Sequence, residues 1–464
     1  MKKLLFSFLL LISIRGFSQH WGQVGNSLDN DVRCLYVDSS ANTLYVGGHF
    51  WSSGSAIVNG IAKLNNQQWD SLGAGATVCN WTGCNPVLTM CAFNTKLYAG
   101  GFFVGMGNTP STQGIARWDG TNWESIGGCN GVVFCMSVFN NNLYAAGTFD
   151  TIGGIQAFNI ARYDGTNWFP VADTIFKNSS ISGSEVYQGK LYIGGIFHIA
   201  SLGAHCIASF DGTTWTSVGP PVFANIGCGI NVLGVYQNRL FAAGYFDWSM
   251  GVPAKGIMSW DGSTWADVGG GLEGPSGYPA NVFALCVYHN KLVAGGMIYA
   301  AGGVPASSIA LWDGTNWCGF GTVFSNAIGA IASYNDTLYV GGGFDNLEGN
   351  PLIDRVAKWT GGNYVDQCGN TTAINEFEYM PAISIFPNPA TNFVTIHSNN
   401  LPGKNIGIKI LDVLGQTVFE KKEETNSTVY ETLINVSELP EGIYFVRLTS
   451  EDGKTATQKI VVQH

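Results

Sequence analysis

The chain has 464 residues, a net charge of −10, only 12% charged side chains, 46% hydrophobic residues and 62 glycines. The hydrophobic share excludes intrinsic disorder, and the acidic balance speaks against nucleic acid, whose phosphates need a cationic face. No apolar run after the first 20 residues approaches the ~18 needed for a membrane-spanning helix; the glycines lack a collagen period, and with 14 Trp the composition reads as all-β.

The chain opens with Lys2 and Lys3, an apolar run from Leu4 to Ile14, then Gly16-Phe17-Ser18 before Gln19. That order of basic, apolar and small residues predicts a secretory signal peptide over residues 1–18. It places the mature chain in an oxidising compartment, where disulfides form.

Seven internal repeats follow. Leu44-Tyr45-Val46-Gly47-Gly48 recurs from Leu97, Leu143, Leu191, Leu240, Leu292 and Leu338, a mean period of 49 residues. Each repeat has an alternating first strand such as Val282–Tyr288 and a polar turn such as Asn94-Thr95-Lys96. The Leu-Tyr-Gly-Gly strand comes next, then a longer loop and a third strand such as Ile115-Ala116-Arg117-Trp118. An Asp-Gly step (119, 164, 211, 261, 313) opens a hairpin into a fourth strand, and is expected to supply the positive φ angles of a tight turn. Four short strands per ~50 residues predict a β-propeller blade.

Fourth strands end in Trp-x-x-(Leu/Ile/Val)-Gly, from Trp69 to Gly73, Trp123 to Gly127, Trp215 to Gly219 and Trp265 to Gly269. Trp21 to Gly25 has the same spacing with no blade before it, and the seventh repeat loses the pattern after Trp359. Trp21–Gly25 is therefore expected to be the outer strand of the last blade, closing a seven-bladed ring and covering a sheet edge. The paired glycines are expected to admit a neighbouring blade, and the repeated Trp to fill the wedges between blades. These residues resemble kelch and galactose-oxidase propellers, and more closely the Rax2-type repeat, over about residues 21–366; the resemblance implies a fold, not an activity. The propeller is assigned residues 19–366.

Composition shifts near Asn375. Residues 374–464 hold 7 basic and 11 acidic side chains, no Trp, no Cys and 5 glycines. Seven alternating segments predict strands at Ile383–Phe386, Phe393–Ile396, Gly407–Leu411, Thr417–Lys421, Tyr430–Ile434, Gly442–Leu448 and Thr457–Val462, an immunoglobulin-like β-sandwich. The motifs Phe386-Pro387-Asn388-Pro389-Ala390, Leu414-Gly415-Gln416, Gly442-Ile443-Tyr444 and Lys459-Ile460-Val461-Val462 resemble the type A C-terminal sorting domain of the type IX secretion system of Bacteroidota. Pro387, Asn388, Pro389, Gly415, Gly442 and Tyr444 carry the resemblance. It implies passage across the outer membrane, partnership with the secretion machinery and a sortase-like protease, and an extracellular or outer-membrane-surface location. Residues 381–464 are assigned to this domain and 367–380 to a linker holding the cleavage point.

Catalytic motifs are sparse. The seven His (20, 49, 198, 205, 289, 397, 464) lack metal-binding spacing, though His198 and His205 share one variable loop. No nucleophile elbow, phosphate loop or EF-hand pattern occurs, and no cofactor is expected. The acidic run Asp345–Asn350 reads as a solvated loop, with calcium as the alternative. Four Cys fall in blade-to-blade loops: Cys79 and Cys84 are a candidate disulfide, Cys84–Cys129 is the competing pair, and Cys228 is the fourth. Cys91, Cys135 and Cys286 lie on first strands and read as small buried hydrophobes. Connections between strands two and three, and between blades, are long, and all emerge at one end of the ring. Variable loops on a rigid scaffold are where binding sits, so this face is expected to bind a glycan or protein ligand. The expected function is non-catalytic binding or adhesion at the cell surface; the alternative is a secreted polysaccharide hydrolase or lyase.

Overall fold

The computed structural model describes residues 21–77, 86–172, 175–219, 229–249, 252–360, 383–399, 405–412, 416–425, 429–450 and 455–464. The expected signal peptide, the Cys79/Cys84 pair, Cys228, Gly415 and the linker 367–380 lie outside these residues. The chain divides into two units, Met1–Thr371 and Thr372–His464.

In the first unit the described strands form seven four-stranded antiparallel sheets. Their inner strands are Val32–Asp38, Val87–Phe93, Val132–Phe139, Ser180–Tyr187, Gly229–Tyr236, Asn281–Tyr288 and Ile328–Tyr334. Each inner strand packs on the next, and the seventh packs back on the first, so the sheets are the blades of a closed ring. From the second blade on, strands one and two are joined by two-residue turns such as Asn140-Asn141 and Asn335-Asp336, in which both residues have positive φ. Asn and Asp tolerate that conformation.

The Asp-Gly steps differ from expectation. Trp118 pairs with Trp123, leaving a four-residue loop in which only Gly120 is left-handed, φ +106. Asp119 serves as an anchor: its carboxylate accepts the backbone N–H of Thr121 and Asn122, both at 2.7 Å. Asp164, Asp211, Asp261 and Asp313 repeat this bond pattern.

Seven hydrophobic clusters lie between the blades, each drawing side chains from two neighbours. Fourth-strand tryptophans join them. The indole N–H of Trp123 donates to the Leu72 carbonyl of the preceding blade (2.9 Å), Trp168 to Ile126 (2.7 Å), Trp265 to Val218 (3.0 Å) and Trp317 to Val268 (2.7 Å). The acceptor is the apolar residue that ends the Trp-x-x-(Leu/Ile/Val) motif. The motif therefore encodes a staple between successive blades, the last wedge excepted, and the left-handed glycine after it leaves room for the indole: a Cβ on Gly73 would meet both Trp118 and Trp123.

Each glycine of the Gly-Gly pair has its own neighbour. A Cβ on the first, such as Gly341, would run into Val32 of the next blade; on the second, Gly342, it would strike the carbonyl of Ala327, the residue just before its own inner strand. The second approach is close because the ladder shifts register there, between Ile328 and Ala330. The same β-bulge recurs on the inner strands of the other blades. Trp21–Gln23 pairs with Val356–Trp359 as the outer strand of the seventh sheet, Trp21 opposite Trp359. Trp21 is fully buried, and its indole donates to the Thr322 hydroxyl (3.1 Å), which in turn donates to the Glu348 carboxylate (3.0 Å).

The second unit is a β-sandwich. A three-stranded sheet holds Ile383–Phe386, Phe393–Asn399 and Val429–Asn435. A four-stranded sheet holds Asn405–Leu411, Thr417–Glu424, Gly442–Ser450 and Thr455–Val462. Ile396, Ile408, Ile410, Val446, Leu448 and Ile460 are among its core.

Candidate functional site: the long-loop face

Antiparallel connectivity puts the two-residue and four-residue turns at one end of the ring, and the loops after the Gly-Gly strands at the other. Exposed apolar side chains concentrate at the long-loop end: Trp51, Ile57, Phe102, Val104, Ile196, Tyr245, Tyr278, Met297, Tyr299, Val323 and Leu352. Among the described residues of this unit, the other well-exposed large apolar side chains are Val138, Val235 and Val287 on inner strands.

The register explains the concentration. The residue after each glycine pair closes the second strand opposite the start of the inner strand, as Ile196 faces Ser180 and Met297 faces Asn281. Two positions on, alternation returns the chain to the same side. The seven blades thus present His49 and Trp51, Phe102 and Val104, Thr148 and Asp150, Ile196 and His198, Tyr245 and Asp247, Met297 and Tyr299, and Gly343 and Asp345. Asp29 holds the Trp51 segment, accepting the N–H groups of Trp51 (2.8 Å) and Ser52 (3.1 Å), and the His49 ring lies 4.9 Å from the Trp51 ring.

Closer to the axis, the bulged residues Arg33, Leu88, Phe134, Ser182, Asn231, Phe283 and Gly329 sit at one level of the ring. Asn231 donates to the Asn281 side chain (2.7 Å) and the Val282 carbonyl (3.0 Å), and Arg33 pairs with Asp31 (3.1 Å). Bulges re-aim side chains and recur beside binding sites. Their seven-fold repetition was missed at the sequence level, because a bulge leaves no residue signature. Lys255 meets Glu273 at 2.7 Å, and this bond raises the lysine's pKa. The face therefore offers flat aromatic and aliphatic surfaces interleaved with the carboxylates of Asp150, Asp247 and Asp345, and with amides and hydroxyls.

Several sequence expectations meet the structure here. The repeated tryptophans are buried wedge residues, so the exposed aromatics of the face come from the variable loops instead. Cys129 is a buried free thiol donating to the Gly131 carbonyl, so the Cys84–Cys129 pairing is not made. Cys34, Cys91, Cys135 and Cys286 on inner strands are also free, and burial pushes the Cys34 and Cys135 thiols up to about 12. Cys206 and Cys318, which spacing did not single out, are each engaged in a disulfide. In the Asp345–Asn350 run, Asp345 exchanges hydrogen bonds with Ser325 and Glu348 accepts from the Thr322 hydroxyl that holds Trp21, so this loop helps close the ring. Among the described residues no group of three or more His, Cys, Asp or Glu could hold a metal ion. His198 and His205 stand directly opposite each other across a hairpin.

In the second unit, Asn388 clamps the final strand, donating to the Lys459 carbonyl (3.0 Å) and accepting from Val461 N–H (2.9 Å). It is flanked by cis Phe386–Pro387 and Asn388–Pro389 bonds. The Tyr444 hydroxyl donates to the Pro440 carbonyl (2.8 Å), and Gly442 opens that strand.

Residues 384–463 match the family "Secretion system C-terminal sorting domain". The chain carries a type IX secretion sorting domain. It is accordingly an exported protein, secreted or held at the cell surface. Over 110 residues it is 24% identical to "Ulvan lyase NLR42" of Nonlabens ulvanivorans, a match covering 24% of this chain and 18% of that one. The chain thus spans less than a fifth of that relative. Among solved structures it overlays on the GH74 enzyme of Niastella koreensis with 12% identity and a TM-score of 0.43, covering 95% of this chain and 74% of the other. A fructofuranosidase from Schwanniomyces occidentalis complexed with fructose gives 12% identity and a TM-score of 0.25, over 95% and 92%.

Proposed function

We propose that this exported chain acts on polysaccharide, and that the long-loop face of the ring is where saccharide is engaged. The carrying observation is the concentration of exposed aromatic and aliphatic side chains at that end, led by Trp51, Tyr245 and Tyr299. Aromatic rings cover the apolar faces of sugars, and neighbouring amides and carboxylates take up hydroxyl hydrogen bonds. Residues 19–373 carry 12 basic and 21 acidic side chains, a mildly acidic balance.

The similarity to an ulvan lyase supports degradation over the adhesion expected from sequence. In this reading residues 1–18 direct the first export step, residues 19–366 form the kelch-like working part, and residues 381–464 are removed at the linker 367–380 after contact with the secretion machinery. The test is incubation of the full chain with a panel of insoluble and soluble algal and plant polysaccharides, following co-sedimentation and the release of reducing or unsaturated ends. Product release establishes degradation, and co-sedimentation without product establishes binding alone. Tyr245→Ala and Tyr299→Ala should each weaken association about 5-fold, the worth of one aromatic contact of ~1 kcal/mol. No association with any polysaccharide overturns the proposal.

A further inference from the structure

The fourth blade carries a histidine pair that belongs to no packing element of the ring. Its second strand, Lys190–Ile199, and third strand, Ala204–Phe210, extend past the blade as a hairpin, with His198 directly opposite His205. The two rings are stacked, 4.0 Å between centroids and 23° between planes. His198 is exposed and His205 half-buried, and their flanking residues Phe197, Ile199, Ala204 and Cys206 are buried. The hairpin is thus anchored from below, while the imidazoles stand on its open side. Among the described residues neither imidazole has a hydrogen-bond partner.

Two imidazoles on facing strand positions are a donor set of a particular kind: as stacked here their in-plane nitrogens run nearly parallel, and rotation of the exposed His198 about its side-chain bonds turns one nitrogen of each ring toward a shared point. Nitrogen donors suit borderline divalent ions such as Zn²⁺, Cu²⁺ and Ni²⁺, whereas Ca²⁺ and Mg²⁺ require oxygen. Directly opposed positions on adjacent strands bring side chains within the reach that one ion can bridge. We propose that His198 and His205 together hold a divalent transition-metal ion on the long-loop face, through one nitrogen of each ring and with its remaining positions open to water. This site does not depend on the polysaccharide reading.

The experiment is a titration of the full chain with Cu²⁺, followed by calorimetry and by electron paramagnetic resonance. The expected result is one equivalent bound, with hyperfine structure from two equivalent nitrogens. Zn²⁺ and Ni²⁺ should compete and Ca²⁺ should not. His198→Ala should weaken binding by well over the ~10-fold that loss of an outer-shell partner costs, and His205→Ala should do the same; His289→Ala, in a distant turn, should leave affinity unchanged. Should His205→Ala fail to fold, the exposed His198→Ala decides the matter. Parent-like Cu²⁺ affinity in His198→Ala, or a spectrum without two-nitrogen structure, overturns the assignment.

Discussion

Asp211 shows how one residue type is reused for structure. Its carboxylate accepts from Thr213 N–H, the Thr213 hydroxyl and Thr214 N–H, and these bonds hold its pKa down to about 2. The folded value is below the unfolded one, near 3.9. The stabilisation is therefore present above pH ~4 and is lost as pH falls through about 2. The residue is solvent-exposed, so the effect is local. Amide hydrogen exchange in the 211–214 turn should stay slow at pH 5 and accelerate near pH 2 beyond the intrinsic rate change, and Asp211→Ala should exchange fast at both. Equal protection in parent and variant at pH 5 would remove the anchor role. The sequence reading found this residue, but for its φ angle rather than its carboxylate.

The blade was the most legible level, and also where legibility stopped. Leucine-tyrosine-glycine-glycine, Asp-Gly and Trp-x-x-(Leu/Ile/Val)-Gly each stand for a contact repeated around the ring, so periodicity exposed them. Two other repeated features were hidden. One is the inner-strand bulge, whose residues run from Arg33 to Gly329 without a shared chemistry. The other is the residue just before the Ile or Val at which the third strand joins the blade ladder, left-handed in every blade but occupied by Gly60, Gly114, Asn159, Cys206, Gly256, Ser308 and Arg355. Backbone geometry is conserved there while side chains vary. The facing of His198 and His205 was likewise invisible, since pairing across a hairpin depends on where the turn falls. The glycine pair gives a prediction at this scale. Blades three and five already carry Ala146 and Ala243 at the first position, so that site tolerates a methyl where the neighbouring blade yields. The second position faces its own backbone. Gly342→Ala should cost about 2–3 kcal/mol or more by the usual penalty of overpacking, and Gly341→Ala clearly less, measured by urea unfolding. Equal costs would mean that the bulge gives way.

At the scale of the whole ring, closure rests on one residue near the start of the described chain and three partners some three hundred residues later. Trp21 fills the last wedge, packing 5.0 Å from Trp359 and 5.4 Å from Phe324, with its N–H tied to Thr322. Trp21→Ala should cost about 3–5 kcal/mol and increase exchange along Val356–Trp359, whose outer edge would be left unpaired. Trp21→Phe should recover most of the packing but not the hydrogen bond. An unchanged unfolding midpoint in Trp21→Ala would show that the ring closes without its N-terminal strand.

That closure also has a consequence in time. A segment near the start of the chain finds its partner only when residue 359 is available, so six blades must stand before the last sheet is complete. Contacts of such long sequence separation form late and slowly, and until then the edge of Val356–Trp359 and the indole of Trp21 are both open to other chains. Refolding at rising protein concentration should therefore lose yield chiefly through species lacking this one pairing, and a short peptide spanning residues 21–25 should act as a competitor for the vacant edge.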